Sequence, residues 1–174
     1  LKKEPCEQVP GEALKLTTFT DYSLRVLIYL ASRPGQRATI AEVAQAFAIS
    51  EHHLVKVVHF LGQQGWLLNV RGKGGGLELG MEPERVRVGQ VVRQTEGEVK
   101  VAECFNEFGV SDCRIADCCR LRGVLGEAVT AFYAVLDRYT LADLVANRQQ
   151  LARILFVDRP IEKPAKPARA RSAA

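Results

Sequence analysis

The stretch IAEVAQAFAISEHHLVKVVHFLGQQG, residues 40–65, constrains the fold of this chain more than any other. It holds two short runs of helical period joined by three residues. Ile40, Val43, Ala44 and Phe47 lie on one side of the first run, and Thr39 stands before it as a capping residue. Ser50 stands in the same position before the second run, which Gly65 stops. Two helices so short and so closely joined read as a helix-turn-helix. The next residues extend the reading. WLLNV and LELG flank RGKGGG, which gives two short strands around a Gly-rich basic tip, the wing of a winged helix.

The same reasoning covers the remaining chain. Asp21 can cap a helix that carries Leu24, Leu27, Ile28 and Ala31, ended by Pro34-Gly35. Val88 to Thr95 reads as a short helix. Leu121, Leu125, Ala128, Val129, Phe132, Val135, Leu136 and Tyr139 keep helical period over about five turns. Thr140 can cap a last helix, LADLVANRQQLARIL. The expected architecture is mainly α with a small β-hairpin: a winged helix-turn-helix DNA-binding domain plus a long dimerisation helix. Residues 1–15 are expected as a flexible extension and 16–97 as the DNA-binding domain. Residues 98–120 form a cysteine loop, 121–157 the dimerisation and C-terminal helices, and 158–174 a disordered basic tail.

With 174 residues the chain has enough length for one domain with a real core. No apolar run approaches the roughly 20 residues of a membrane span. The opening LKKEPCEQVPGEALK has no apolar signal region and no Met, which suggests trimming and a cytoplasmic location. The net charge of +4 is a weak argument for nucleic acid, because residues 158–174 hold five Lys/Arg against two acids. The placement of polar groups says more. On a wheel at 100° per residue, Leu54, Val57, Val58 and Leu61 share one face of the second run. His52, Lys56, His59 and Gln63 line the opposite face, with Ser50 and His53 beside its start. Those donors suit phosphates and base edges in a major groove. Arg71 and Lys73 in the Gly-rich tip suit phosphates or the minor groove. The alternative for both is a solvated surface. Val124 and Ala131 give the long helix a second apolar stripe, which suits a homodimer contact.

Four of the five cysteines, Cys104, Cys113, Cys118 and Cys119, fall within VAECFNEFGVSDCRIADCCRLRG. Without an export signal, clustered cysteines point to metal, cluster or redox chemistry rather than a disulfide framework. Arg114, Arg120, Arg122 and the start of the long helix favour thiolates there. Three readings stand on spacing alone: an iron–sulfur cluster, a thiol–disulfide sensor without metal, and zinc. Zinc sites favour C-x₂₋₄-C pairs, and the intervals of eight and five residues between Cys104, Cys113 and Cys119 do not match. The adjacent Cys118 and Cys119 do not both suit one centre. No H-E-x-x-H, G-x-S-x-G or nucleotide-binding loop occurs, so an enzyme is not expected. A cluster used only for electron transfer is the rival class.

The chain resembles the dimeric winged-helix iron–sulfur regulators, a family with IscR-like and NsrR-like members. The resemblance covers roughly Leu16 to Leu155. It rests on LTTFTDYSLRVLIYLA, IAEVAQAFAISEHHLVKVVHFLGQQGWL, RGKGGGLEL, CRIADCCRL and YTLADLV. It implies Cys104, Cys113 and Cys119 as ligands of an iron–sulfur cluster, 4Fe–4S ahead of 2Fe–2S. The gap from Cys104 to Cys113 is several residues longer than in the family pattern, and Cys118 and Cys6 have no counterpart in it. IscR-like proteins use a His three residues after the last cysteine, where this chain has Arg122. NsrR-like proteins are similar to this chain at Asp21, which the resemblance implies as the fourth ligand, given from the other subunit. It further implies a cytoplasmic repressor that leaves operator DNA when nitric oxide attacks the cluster. The alternatives are an IscR-like sensor of cluster status or redox state, and a cysteine-redox regulator without a cluster.

Overall fold

The computed structural model describes residues 15–97, 101–102, 105, 113–115 and 118–156. The first helix, α1 (Thr18–Ala31), runs through the centre of the core with Val26, Leu27, Tyr29 and Leu30 buried. Its cap differs from the expectation. Thr17, not Asp21, is the N-cap, and its hydroxyl accepts the Thr20 N–H at 3.2 Å. Asp21 lies within the first turn, past the cap. The physical reason sits far away in the chain: the Glu96 carboxylate accepts both the N–H (2.8 Å) and the hydroxyl (3.1 Å) of Thr17. That contact selects Thr17 from a run of several competent caps.

The next two helices follow the sequence reading closely. α2 (Ile40–Phe47) opens with a reciprocal capping box between Thr39 and Glu42. It ends at Ala48, which takes a left-handed φ of 54°. The Ile49 N–H then returns to the Ala44 carbonyl at 2.9 Å, closing the turn. α3 (Glu51–Gln63) buries Leu54, Val57, Val58 and Leu61. Ser50 occupies its N-cap without a side-chain capping bond, so the capping bond expected of it is absent. Gly65, at φ +73°, supplies the positive φ that ends the helix.

The wing comprises β1 (Leu67–Val70) and β2 (Gly76–Leu79), antiparallel in the register Leu67↔Leu79, Leu68↔Glu78, Asn69↔Leu77 and Val70↔Gly76. Ala38 adds a bridge to Leu77 through two backbone bonds of 2.7 and 3.0 Å, which ties the hairpin to the segment before α2. Trp66, Leu67 and Leu77 are buried and seal the wing base onto the helices.

A short 3₁₀ turn (Pro83–Arg85) leads to α4 (Val88–Glu96), which buries Val88, Val91 and Val92 and packs on α1. α5 (Arg120–Leu136) is 17 residues long and has no buried residue. The expected single last helix is two. α6 (Leu141–Leu144) opens with a Thr140–Asp143 capping box, and α7 (Arg148–Leu155) follows after a break at Val145–Asn147. Leu141 and Val145 are pinned in the core, with the Leu141 N–H on the Val86 carbonyl at 2.8 Å. The break lets α7 change direction, and Leu151, Leu155 and Phe156 pack against the same core. Phe156 meets Tyr29 edge-on at 5.1 Å, under the Arg33 guanidinium. No helix among the described residues is long and apolar enough to cross a membrane.

Candidate nucleic-acid interface and cysteine stretch

Burial of Leu54, Val57, Val58 and Leu61 fixes the rotation of α3 about its axis. The opposite face must then point outward. His52, His53, Lys56, His59 and Gln63 are all exposed, as is Ser50 at the helix start. His53 is steadied by the Tyr22 ring, 6.3 Å away centroid to centroid. The helix is held from behind by Phe60, which packs edge-on against Phe19 at 5.3 Å and against Trp66 at 6.5 Å. The outward face therefore presents hydrogen-bonding groups and one positive charge on a rigid rod.

Two residues, one on this face and one beside the wing, escape a polar-pattern reading. Val55 is 52% exposed beside His52 and His59, an apolar contact of the kind that fits a thymine methyl. An apolar residue off the buried arc was its signal in the sequence. Arg37 is the second. Its guanidinium bonds the Glu78 carboxylate at 2.8 Å and the Gly74 carbonyl at 3.0 Å. It thus grips the wing at one strand and at the tip. Residues 37 and 78 are 41 apart in the chain, and no local pattern links them.

Arg71 and Lys73 are both exposed at the wing tip, as expected. The tip is tight: the Gly75 N–H bonds the Gly72 carbonyl at 2.9 Å, and a Cβ on Gly75 would collide with the Val70 carbonyl. A bulkier residue there would re-aim both basic side chains.

The cysteine stretch is described in part. Cys104 lies outside the described residues, as does Cys6. Cys113 and Cys118 are exposed, and the Cys118 thiol lies 3.6 Å from the Ile115 carbonyl. Cys119 is half-buried and is the N-cap residue of α5. Asp21 stands on α1, 45% exposed, and pairs with Arg25 one turn on at 2.8 Å. Among the described residues no group of three or more His, Cys, Asp or Glu is brought together within one chain.

A central helix, a helix-turn-helix with an outward donor face, and a hairpin clamped beside it together define a winged helix-turn-helix protein. The chain belongs to the Rrf2 family, described as iron-dependent transcriptional regulators, whose family pattern matches residues 16–147. It is 48% identical over 143 residues to the HTH-type transcriptional regulator NsrR of Bacillus subtilis, covering 82% of this chain and 97% of that one. Among solved structures it is similar to CymR, the global cysteine regulator of B. subtilis, with 32% identity and a TM-score of 0.60 over 78% of this chain and 98% of that one. IscR of T. potens shares the fold at 23% identity and a TM-score of 0.63, over 85% of this chain and 95% of that one.

Proposed function

We propose that this chain is a homodimeric, operator-binding repressor whose iron–sulfur cluster senses nitric oxide and whose DNA is released when the cluster is attacked. The observation that carries the reading is the place of Cys119. It opens α5, a helix with no buried residue, on which Leu121 and Val124 are 60% and 61% exposed. Such a helix leaves apolar surface for a second copy to cover. A ligand held at Cys119 acts at the root of that surface. The similarity to NsrR-named regulators supports the same reading.

The donor set fits the group. Cys113 and Cys119 offer soft sulfur donors on one segment, and Asp21 has an exposed carboxylate on α1. Cys104, Cys113 and Cys119 would hold the cluster, with the partner subunit's Asp21 as the exchangeable fourth ligand. When bound, the cluster supplies iron that takes nitric oxide as a ligand. The protein's own part is mechanical. Asp21 lies on the helix that backs α3 through Phe19 and Phe60, so an inter-subunit link at Asp21 constrains the reading heads. His52, Lys56, His59 and Gln63 would lie in the major groove, and Arg71 and Lys73 on the flanking backbone. With Asp21 released, the two heads lose their common register. A hundredfold loss of affinity requires a coupling of about 2.7 kcal/mol.

The test is an anaerobic titration of the purified dimer with nitric oxide, following cluster absorbance and DNA binding together. The DNA is a duplex selected from a random pool by the protein itself. Bleaching with parallel loss of binding is expected. A colourless protein that binds DNA regardless would overturn the cluster mechanism and leave a thiol-based regulator.

A further inference from the structure

α4 is bonded on both sides, and the bonds lead from the long helix to the reading head. On the α5 side, Arg93 forms a two-pronged ion pair with Asp137, the C-cap of α5, at 2.7 and 2.5 Å. The same guanidinium stacks over the Tyr133 ring at 4.4 Å. Arg87 donates to the Asp137 carbonyl at 3.3 Å. Gly89 lies directly beneath Asp137, and a Cβ there would collide with the carboxylate. On the α1 side, Glu96 accepts both bonds from Thr17, and the Thr20 hydroxyl donates to Thr95 at 2.8 Å. Phe19 then passes the contact to Phe60 on α3.

We infer that Arg93 and Asp137 are positioning residues for DNA recognition: their fork fixes the angle between α5 and the reading head, and so the spacing of half-sites the dimer accepts. This rests on the dimeric, DNA-binding reading above. The geometry suits the task. α5 leans on the head chiefly through α4, and it contributes no buried side chain of its own. The planar, bidentate Arg93–Asp137 contact, with a ring behind it, works beside the Arg87–Asp137 bond and the backbone bond from the Val88 N–H to the Tyr139 carbonyl (3.0 Å) in holding the orientation. In a dimer that reads two half-sites about one helical turn apart, a small rotation at this joint swings each α3 by several ångströms.

The experiment compares full-length wild type with Arg93→Gln and Asp137→Asn on three duplexes derived from the selected site: the native spacing, one base pair more and one fewer. Adding one base pair shifts a half-site by about 3.4 Å and rotates it by roughly 35°. Wild type should lose about tenfold or more in affinity off its native spacing, and each variant only about threefold or less. Binding to a duplex with a single half-site should be unchanged in both variants. Arg93→Lys keeps the charge but not the fork, and should fall between. A folded, dimeric variant that keeps wild-type spacing discrimination overturns the inference. So does an equal loss on single and paired half-sites, which would mean simple damage to the head. Failure of the wild type to bind any duplex would instead overturn the functional reading itself.

Discussion

The Thr17 hydroxyl accepts the Thr20 N–H at 3.2 Å, and this closes the first turn of α1 without help from Asp21. The Asp21 carboxylate is left for its exposed i,i+4 ion pair with Arg25. Exposed pairs of this kind contribute little, from nothing to about 1 kcal/mol. Thr17→Ala is therefore expected to cost about 1 kcal/mol of stability; it also removes the hydroxyl bond to Glu96, while the backbone N–H bond to that carboxylate is kept. Asp21→Ala should change stability by less than about 0.5 kcal/mol and yet alter the visible spectrum of the cluster-loaded protein. Urea unfolding of both variants, with spectra of the loaded forms, checks this. A large loss of stability in Asp21→Ala with an unaltered spectrum would return the residue to a purely structural role.

The turn of the helix-turn-helix stores strain at one residue. Ala48 sits at φ 54°, a region that costs an L-residue roughly 1–2 kcal/mol. Ala48→Gly removes that cost and adds about 0.4–1 kcal/mol of unfolded-chain entropy. The expected balance is a gain of about 0.5–1 kcal/mol, read as a higher urea midpoint at unchanged slope. A lower midpoint would show that the Ala48 methyl has a packing role that outweighs its backbone strain.

These two positions also mark how far the sequence could be read. The Thr39 cap, the buried arc of α3 and the Gly65 stop were legible because their causes lie within a few residues. The strands around RGKGGG were legible for the same reason. The α1 cap was misplaced because Glu96, 79 residues away, chooses among several competent neighbours. The break between α6 and α7 carries neither Gly nor Pro, and it follows from the pinning of Leu141 and Val145 in the core. Candidate interface residues were found where polarity opposed a buried arc. Arg37 and Arg93 were missed because their meaning lies in partners more than forty residues distant. The cysteines carried their chemistry in their type, and the helical period placed them at the start of the long helix; pattern alone gave no sign that Cys119 caps a helix with no buried residue.

The wing should act through charge and through its clamp in separable ways. Arg71→Ala and Lys73→Ala each remove one candidate phosphate contact, which should reduce the slope of log affinity against log salt by about 0.9. Arg37→Ala removes the grip on Glu78 and Gly74 without removing a phosphate contact. Affinity should fall several-fold with little change in salt slope, while thermal stability stays close to wild type. Affinity measured from about 50 to 200 mM salt separates the two effects. Equal salt slopes in all four proteins would place the wing tip off the DNA.

Stability should fall on the acid side through two capping boxes. The Thr39 N–H bonds the Glu42 carboxylate at 2.6 Å and, as the main cause, holds its pKa below the ordinary value of 4.5. The Thr140 N–H does the same for Asp143 at 2.7 Å, below 3.8. In both cases the unfolded chain takes up protons at a higher pH than the folded one. The contribution is complete above the ordinary carboxylate values and is lost as pH falls through the lowered ones. The urea midpoint should therefore be flat near neutrality and decline below about pH 4.5. Glu42→Gln keeps an acceptor at the cap but no titrating charge. Its midpoint should lie below wild type at neutral pH and approach it in acid. If the difference between the two proteins stays constant down to about pH 3, the Glu42 carboxylate is no more strongly held in the fold than in the unfolded chain.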